Sequence, residues 1–277
     1  MKIGVVGAGV MGTGVAQCFA AAGHEVIVAD ADPGALDRGP ARLRDGVRMA
    51  VLLGARPPAT VRVRWTGALE ELGGSEFVVE CATERPAVKE ELFAELDRLC
   101  PAATVLASCT SAIPITRLAA ATGRADRVIG THFMNPAPVQ DAVEVVRTAA
   151  TSAETLRLTG EVLTGLGKQP IVVADGPGFV ANRVLMATIN EAVATVGDGI
   201  ADAATVDSVF EKCFGHPMGP LRTADLIGLD VILDTLVVLL ECTGNPMYRP
   251  CRLLTELVAT GRLGRKTGRG LHAYPAG

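Results

Sequence analysis

The chain has 277 residues, a formal net charge of -4, 49% hydrophobic residues and 20% charged residues. This composition indicates a globular protein and argues against a disordered one, while the negative charge disfavours nucleic acid as a partner. A chain of this length is expected to form two domains.

Several sequence features indicate the cellular compartment in which the chain is expected to reside. The seven cysteines are odd in number and include no C-x-x-C pair, which predicts free thiols in a reducing cytoplasm and neither a disulfide framework nor a metal site. The first residues lead directly into a strand pattern, without the features of a secretion signal. The apolar run from Val231 to Cys242 is too short to span a membrane and contains Asp234, so we expect a buried helix at a subunit or domain interface and no membrane contact.

From Met1 to about Asp175, short runs rich in Val and Ile alternate with helical stretches. This alternation predicts a Rossmann-type, doubly wound α/β sheet. The predicted strands are Ile3–Val6, Val26–Ala29, Phe77–Cys81, Val105–Ser108, Val128–Gly130, Val143–Val146 and Ile171–Ala174.

After Gly178 the pattern is helical only. The segment from Asp175 to Gly178 breaks the last strand from the first helix, which predicts a Rossmann-type domain over residues 1–177 and an all-helical domain over residues 178–277. The predicted helices of the second domain are Val180–Val196, Thr205–Phe214, Leu226–Cys242 and Leu253–Thr260, separated by turns at Gly215–Pro220 and Gly244–Pro250.

The segment from Arg38 to Arg64 is less regular and basic. Two interpretations stay open: a solvated helical hairpin, which is the default, or a basic ledge for a phosphate-bearing carrier. The arginines are Arg38, Arg42, Arg44, Arg48, Arg56, Arg62 and Arg64, placed around the Pro57-Pro58 turn.

A glycine motif, Gly7-Ala8-Gly9-Val10-Met11-Gly12, follows the first strand and precedes an Ala-rich helix. Such a turn holds a dinucleotide pyrophosphate at the helix N-terminus. Asp30 ends the second strand, where a carboxylate accepts both ribose hydroxyls of NAD and repels the 2′-phosphate of NADP. The alternative role of capping the following helix fits Asp32 better than Asp30.

A histidine and a glutamate lie in consecutive strand segments, Gly130-Thr131-His132-Phe133-Met134-Asn135-Pro136 and Val143-Glu144-Val145-Val146. Such a pair can form a dyad in which the carboxylate orients the imidazole and raises its basicity. A lone histidine is more often a core or capping residue, so this pattern alone leaves catalysis open.

Besides the glycine motif and the His132 segment, five further segments form a recognisable set: Ala107-Ser108-Cys109-Thr110-Ser111, Asp175-Gly176-Pro177-Gly178-Phe179-Val180-Ala181-Asn182-Arg183, His216-Pro217-Met218-Gly219-Pro220, Asp225-Leu226-Ile227-Gly228-Leu229-Asp230 and Gly264-Arg265-Lys266-Thr267-Gly268-Arg269-Gly270. With these segments in this order, the chain resembles the short-chain L-3-hydroxyacyl-CoA dehydrogenases, in particular the bacterial 3-hydroxybutyryl-CoA dehydrogenases, over essentially its whole length.

The resemblance implies roles for particular residues. His132 would be the catalytic base and Glu144 its partner, while Ser111 and Asn182 would bind substrate. NAD would lie on the glycine motif and Asp30, with Ser111 also close to it. Four further residues would lie near the nicotinamide half of the cofactor, although an exposed helix start or a surface lysine would explain some of them equally well: Glu84, Lys89, Asn135 and Lys266.

The implied activity is NAD-dependent oxidation of the 3-hydroxyl of a short 3-hydroxyacyl thioester, or the reverse reduction, by a homodimer formed through the C-terminal helices. The carrier stays open between CoA and acyl carrier protein. Cys109 stands where the family usually has Asn, and arginines replace the family's lysines in the basic segment. Both changes would suit a glyceryl or hydroxymalonyl unit on acyl carrier protein in polyketide precursor synthesis.

Two other classes are disfavoured. Lysine-dependent β-hydroxyacid dehydrogenases need a catalytic lysine in the first long helix of the second domain, and Val180–Val196 contains none. A nucleotide-binding structural or sensor protein of the same fold would not need intact Ser111, His132, Glu144 and Asn182.

Overall fold

The computed structural model describes residues 1–54 and 61–274. The chain folds as two compact units, Met1–Gly176 and Pro177–Gly277. Arg56 and the Pro57-Pro58 turn of the basic segment lie outside the described residues.

The first unit contains a sheet of eight strands within its described part, in the order β3-β2-β1-β4-β5-β6-β7-β8. Neighbouring strands are parallel except β6 and β7, which are antiparallel. The strands are β1 (Lys2–Val6), β2 (Glu25–Ala29), β3 (Val63–Thr66), β4 (Phe77–Glu80), β5 (Val105–Ser108), β6 (Val128–Phe133), β7 (Ala142–Arg147) and β8 (Gln169–Ala174).

Five α-helices accompany this sheet in the described residues: α1 (Val10–Ala21), α2 (Pro33–Leu52), α3 (Pro86–Leu99), α4 (Ile115–Ala119) and α5 (Ala153–Gly165). The central strands are buried along their whole length, as in β4 and β5, because a parallel sheet with helical crossovers is covered on both faces. The predicted doubly wound α/β architecture is confirmed.

In the parts of the basic segment on either side of residues 55–60, the structure shows one helix and one strand in place of the expected helical hairpin. The first half of this segment is helix α2, which begins at Pro33 after the capping residue Asp32, whose Oδ1 accepts from the Gly34 N–H at 2.9 Å. Its second half contains β3, which the sequence analysis missed. Trp65 packs against the core of the unit, while Arg64 is exposed and forms an ion pair with Glu71. Alternation over only four residues at a sheet edge is a weak signal among so many arginines.

The second unit is helical, as predicted, apart from two isolated β-bridges near its end. The predicted helix Leu226–Cys242 is wrong in one respect, because Gly228 interrupts it with a φ of 108°. A separate helix precedes this break. The helices described here are α6 (Ala181–Gly197), α7 (Ala203–Cys213), α8 (Pro220–Ile227), α9 (Leu229–Thr243) and α10 (Arg252–Ala259).

Helix α9 carries the apolar run singled out in the sequence. Ile232, Leu236 and Leu239 are fully buried in the core of the second unit, whereas Val231 and Val237 remain 46% and 38% exposed. Most of the apolar face is therefore used inside this unit. Among the described residues, no helix is long and apolar enough to cross a membrane.

Two buried carboxylates tie the C-terminal segment to this helical core. Asp225 accepts from the N–H groups of Leu271 and His272 at 2.9 and 2.8 Å. Asp207 accepts from Leu221 N–H at 2.8 Å and lies 2.8 Å from His272 Nε2. The His272 side chain therefore has a structural partner in Asp207.

Candidate active site

The glycine motif forms the turn between β1 and α1. Gly7 has a φ of 104°, and a Cβ there would lie 2.7 Å from the carbonyl oxygen of Cys81. A Cβ on Gly12 would lie 2.9 Å from the carbonyl carbon of Gly7. Both positions therefore require glycine, since the turn is packed against itself and against the end of β4.

Gly9 differs from these two glycines because a Cβ there would meet no atom within 4 Å. Its φ of -71° suits any residue. It precedes the first turn of α1, which has no side-chain cap and carries the exposed Val10 followed by Met11. An uncapped helix N-terminus beside an open glycine is suited to hold a pyrophosphate, so these residues fit the cofactor that the motif predicts.

Asp30 is held against the glycine turn. Its Oδ2 accepts from the Ala8 N–H at 2.6 Å, and its Oδ1 accepts from the Asp32 N–H at 2.9 Å. Arg42 of α2 also reaches this turn and donates to the Ala8 carbonyl at 3.0 Å. No local sequence pattern predicts the Arg42 contact, because it joins residues that are 34 positions apart.

A buried ion pair lies at the end of β4. Lys89 and Glu80 are 1% and 0% exposed, and Lys89 Nζ lies 2.6 Å from Glu80 Oε1. The ammonium also donates to the Ala82 carbonyl at 3.2 Å and lies 3.4 Å from Glu84 Oε2. Ser108 at the end of β5 donates to Glu80 Oε2 at 2.7 Å. Lys89 is therefore not an exposed residue at a helix start.

The charged groups in this network shift each other's pKa values. Burial alone would lower the pKa of Lys89, but Glu80 and Glu84 outweigh it and raise the pKa above its ordinary value. Burial would raise the pKa of Glu84, but Lys89 and the donors around Ser111 hold it below its usual range. The stabilisation from Lys89 is therefore complete below its unfolded pKa and is lost as pH rises through the folded value. The stabilisation from Glu84 is complete above the pKa that Glu84 has in the unfolded chain, and it is lost as pH falls through the pKa of Glu84 in the folded protein.

Glu84 connects the ion pair to Ser111. Its Oε1 accepts from Thr110 Oγ1 at 2.5 Å, from Ser111 N–H at 2.8 Å and from Ser111 Oγ at 3.2 Å. One carboxylate thus orients the loop after β5 that carries the predicted substrate-binding serine. The resemblance implied that Glu84 lies near the nicotinamide half of the cofactor and that Ser111 binds substrate close to NAD, but it did not indicate that the two residues contact each other.

His132 and Glu144 lie directly opposite each other in the antiparallel pairing of β6 and β7. His132 Nδ1 is 3.0 Å from Glu144 Oε2, and both residues are 7% exposed. The sequence predicted this pair, and the strand register brings it together. A carboxylate at Nδ1 favours the tautomer in which Nε2 accepts a proton.

Asn135 follows β6 and is exposed. It lines a cavity of about 270 Å³ together with residues of α1 and α2, among them Val10, Gln17, Arg42 and Met49. The described residues include no cluster of three or more His, Cys, Asp or Glu able to hold a metal ion.

The remaining two predicted site residues belong to the second unit. Asn182 is in the first turn of α6. Lys266 lies in a short 3₁₀ turn, and its Nζ is 2.6 Å from both carboxylate oxygens of Asp230 at the start of α9.

Family models agree with this arrangement. The model described as the NAD binding domain of 3-hydroxyacyl-CoA dehydrogenase matches residues 2–176, and the model of its C-terminal domain matches residues 178–274. The chain belongs to the 3-hydroxyacyl-CoA dehydrogenase family. It is thus an oxidoreductase with NAD as its cofactor.

Relatives cover the whole chain. A protein of Bacillus subtilis named probable 3-hydroxybutyryl-CoA dehydrogenase is 45% identical, with 99% of this chain and 97% of the relative covered. The 3-hydroxybutyryl-CoA dehydrogenase of Bradyrhizobium diazoefficiens is 41% identical, with 99% and 95% covered. The crystal structure of (S)-3-hydroxybutyryl-CoA dehydrogenase from Ralstonia eutropha is similar with a TM-score of 0.91 and 39% identity, covering 99% of both chains.

The open space at Gly9 predicts a selective effect on cofactor binding. Gly9→Ala should lower NADH affinity at least about tenfold, because the new methyl group occupies the pyrophosphate position. The free energy of unfolding should change by less than about 1 kcal/mol. NADH fluorescence titration and urea unfolding measure the two effects. The control is Gly160→Ala in α5, which also faces open space and should leave NADH affinity unchanged. Equal NADH affinity in both variants would contradict this assignment.

The buried ion pair predicts a stability effect. Lys89→Met leaves Glu80 buried without its counter-charge and should lower the free energy of unfolding by about 3–5 kcal/mol, measured by urea denaturation. Lys212→Met, at an exposed position of α7, should change it by less than about 0.5 kcal/mol. If Lys89→Met weakened NADH binding but left stability intact, Lys89 would serve the cofactor directly and not the framework.

Proposed function

We propose that this chain catalyses the NAD-dependent oxidation of the 3-hydroxyl of a short 3-hydroxyacyl-CoA, such as 3-hydroxybutyryl-CoA, and the reverse reduction, with His132 and Glu144 as its catalytic dyad. The observation that carries this proposal is the contact of 3.0 Å between His132 Nδ1 and Glu144 Oε2. The names of the relatives support the choice of substrate.

In this mechanism, His132 removes the proton of the 3-hydroxyl. Glu144 holds the ring through Nδ1, so we assign Nε2 to the substrate oxygen. Bound NAD supplies the hydride acceptor for C3. Glu144 stabilises the imidazolium that forms, and general base catalysis of this kind contributes about 10²–10⁴ in rate. In the reverse direction the imidazolium returns the proton to the 3-oxygen.

Ser111 and Asn182 position the substrate in this proposal. Glu84 fixes the Ser111 loop through the backbone and the hydroxyl, which supports a role for Ser111 in holding the 3-oxygen with little loss of entropy on binding. Asn182 would hold the thioester or the hydroxyl from the helical domain, residues 178–277.

The cofactor would lie on the N-terminal domain, residues 1–177. Gly7, Gly9, Val10, Met11 and Gly12 would receive the pyrophosphate, and Asp30 the adenosine ribose. Glu84, Asn135 and Lys266 would surround the nicotinamide half together with Ser111. We propose that Lys89 supports Glu84 and does not contact the cofactor itself, since Glu80 and the Ala82 carbonyl already bind its ammonium.

The acyl carrier would approach across α2. The cavity beside Asn135 has an arginine on its lining, Arg42, and Arg44 and Arg48 are exposed on the same helix. Positive charge there suits the phosphates of CoA.

The substrate is tested by NADH oxidation with acetoacetyl-CoA and with acetoacetyl-acyl carrier protein. We expect kcat/KM to be at least about tenfold higher for the CoA thioester. A higher kcat/KM for the carrier protein would overturn CoA as the carrier and favour a protein-bound unit of the glyceryl or hydroxymalonyl type. Turnover of neither substrate would contradict the activity itself.

The same assay tests the dyad. His132→Gln and Glu144→Gln should each lower kcat by about 10²–10⁴, because the base or its orientation is lost. NADH affinity, measured by fluorescence, should stay within about twofold, since neither residue is assigned to cofactor binding. The control is Glu154→Gln, in the first turn of α5, which should keep full activity. Full turnover by His132→Gln would refute the mechanism.

We also propose a homodimer formed through the C-terminal helices. Leu226 and Val231 are 55% and 46% exposed around the break between α8 and α9, and apolar surface of this kind is typical of subunit interfaces. The double variant Leu226→Glu/Val231→Glu should sediment as a monomer where the unmodified chain sediments as a dimer. Leu52→Glu, at an 81% exposed position of the first unit, should remain dimeric. A monomeric unmodified chain at micromolar concentration would refute this proposal.

A further inference from the structure

Two cysteines lie side by side at the carboxyl ends of β4 and β5. Glu80 and Ser108 are paired in the parallel ladder, so Cys81 and Cys109 occupy the next positions. The Cys109 N–H donates to the Glu80 carbonyl at 2.7 Å, which continues the ladder to this point. Cys81 and Cys109 are both half-buried.

This placement permits a disulfide. Neighbouring strands lie about 4.8 Å apart, which is within the Cα separation of about 4.4–6.8 Å that disulfides span. The ladder restrains both backbones, since the Cys81 N–H also donates to the Val6 carbonyl at 2.7 Å.

The two thiols differ in acidity. Hydrogen bonding to Cys109, together with burial, raises the pKa of Cys81 well above its ordinary value. The hydrogen bonds that Cys109 accepts, first from Cys81 and also from the Phe133 N–H, lower the pKa of Cys109. By contrast, burial raises the pKa of Cys18 to about 11. Cys109 is thus the more readily ionised thiol, and Cys81 is placed to react with it second.

The pair also adjoins the cofactor turn. A Cβ on Gly7 would lie 2.7 Å from the Cys81 carbonyl oxygen, and a Cβ on Gly12 would lie 3.4 Å from Cys81 Cβ. Any shift of Cys81 toward Cys109 therefore displaces atoms that pack against the Gly7–Gly12 turn. The same turn accepts the pyrophosphate in the function proposed above.

We propose that Cys81 and Cys109 form a redox-sensitive dithiol that hydrogen peroxide converts to a disulfide, and that this oxidation weakens NAD binding. The Cys109 thiolate attacks a peroxide oxygen, so that an S–O bond forms, the O–O bond breaks and the leaving oxygen departs as water after protonation. The Cys81 sulfur then attacks the sulfenic sulfur, so that the S–S bond forms, the S–O bond breaks and the hydroxyl departs as a second water with the proton of the Cys81 thiol. The dithiol loses two electrons and two protons, and hydrogen peroxide takes up both.

Cofactor binding and oxidation are coupled in both directions. If the disulfide lowers NAD affinity by some factor, bound NAD must disfavour the disulfide by the same factor. This inference rests on the proposed position of NAD at the glycine turn. The existence of the reactive pair itself does not depend on the substrate or on the dyad.

The test treats the intact protein with hydrogen peroxide and maps tryptic peptides by mass spectrometry. We expect a cross-link between residues 65–89, which contain Cys81, and residues 99–117, which contain Cys100 and Cys109. The linked peptides should weigh two hydrogens less than their sum. Cys100→Ser should retain the cross-link and Cys109→Ser should lose it. Absence of a cross-link, or its retention in Cys109→Ser, would overturn the proposal.

NADH fluorescence titration supplies the second measurement. Oxidation should lower NADH affinity at least about fivefold, dithiothreitol should restore it, and saturating NAD should slow the cross-linking. Each variant is compared with its own reduced form. Cys81→Ala should lose the peroxide response, whereas Cys213→Ser, at an exposed position, should keep it. Unchanged NADH affinity in the cross-linked protein would overturn the coupling.

These two measurements use no acyl substrate. A chain that cross-links and loses NADH affinity but does not turn over acetoacetyl-CoA would refute the proposed activity alone. An active chain without the cross-link would refute the redox pair alone.

Discussion

The carboxylate of Glu80 is the group on which the arrangement at the carboxyl ends of β4 and β5 depends. It is fully buried and accepts from the Ala82 N–H, the Ser108 hydroxyl and the Lys89 ammonium. A buried charge that lacks such partners is strongly destabilising, so the ends of β4 and β5 and the first turns of α3 are held together. Through Lys89 the same carboxylate fixes Glu84, and through Glu84 it fixes the loop that carries Ser111.

The proposed dyad depends on a different constraint, the reversal of strand direction between β6 and β7. Every other neighbouring pair in the described sheet is parallel. The antiparallel pairing sets His132 directly across from Glu144. The connection between the two strands has eight residues, and it carries Asn135 and four further residues that line the adjacent cavity. A network of charged groups thus holds the ends of β4 and β5 in place, and a backbone hydrogen-bond ladder holds β6 and β7.

The sequence predicted much of this because the strongest signals are local. Valine-rich runs and the glycine motif identified the doubly wound sheet and its cofactor turn. Long-range contacts left no such signal. Lys89 is paired with Glu80, which lies nine residues away on another element, and the neighbouring positions of Cys81 and Cys109 follow from the order of the strands. The edge strand β3 was missed because it has only four residues and lies among arginines. The break at Gly228 was missed because helical sequence patterns continue on both sides of it.

The register between β6 and β7 has a consequence for how the dyad tolerates change. Successive side chains of a strand point to opposite faces, so a slip of one residue would send Glu144 to the far side of the sheet. Core substitutions that alter volume but preserve the ladder would leave the two side chains facing each other. The main-chain hydrogen bonds between the strands therefore set the distance between His132 and Glu144. The residues packed around this pair can be substituted without changing that distance.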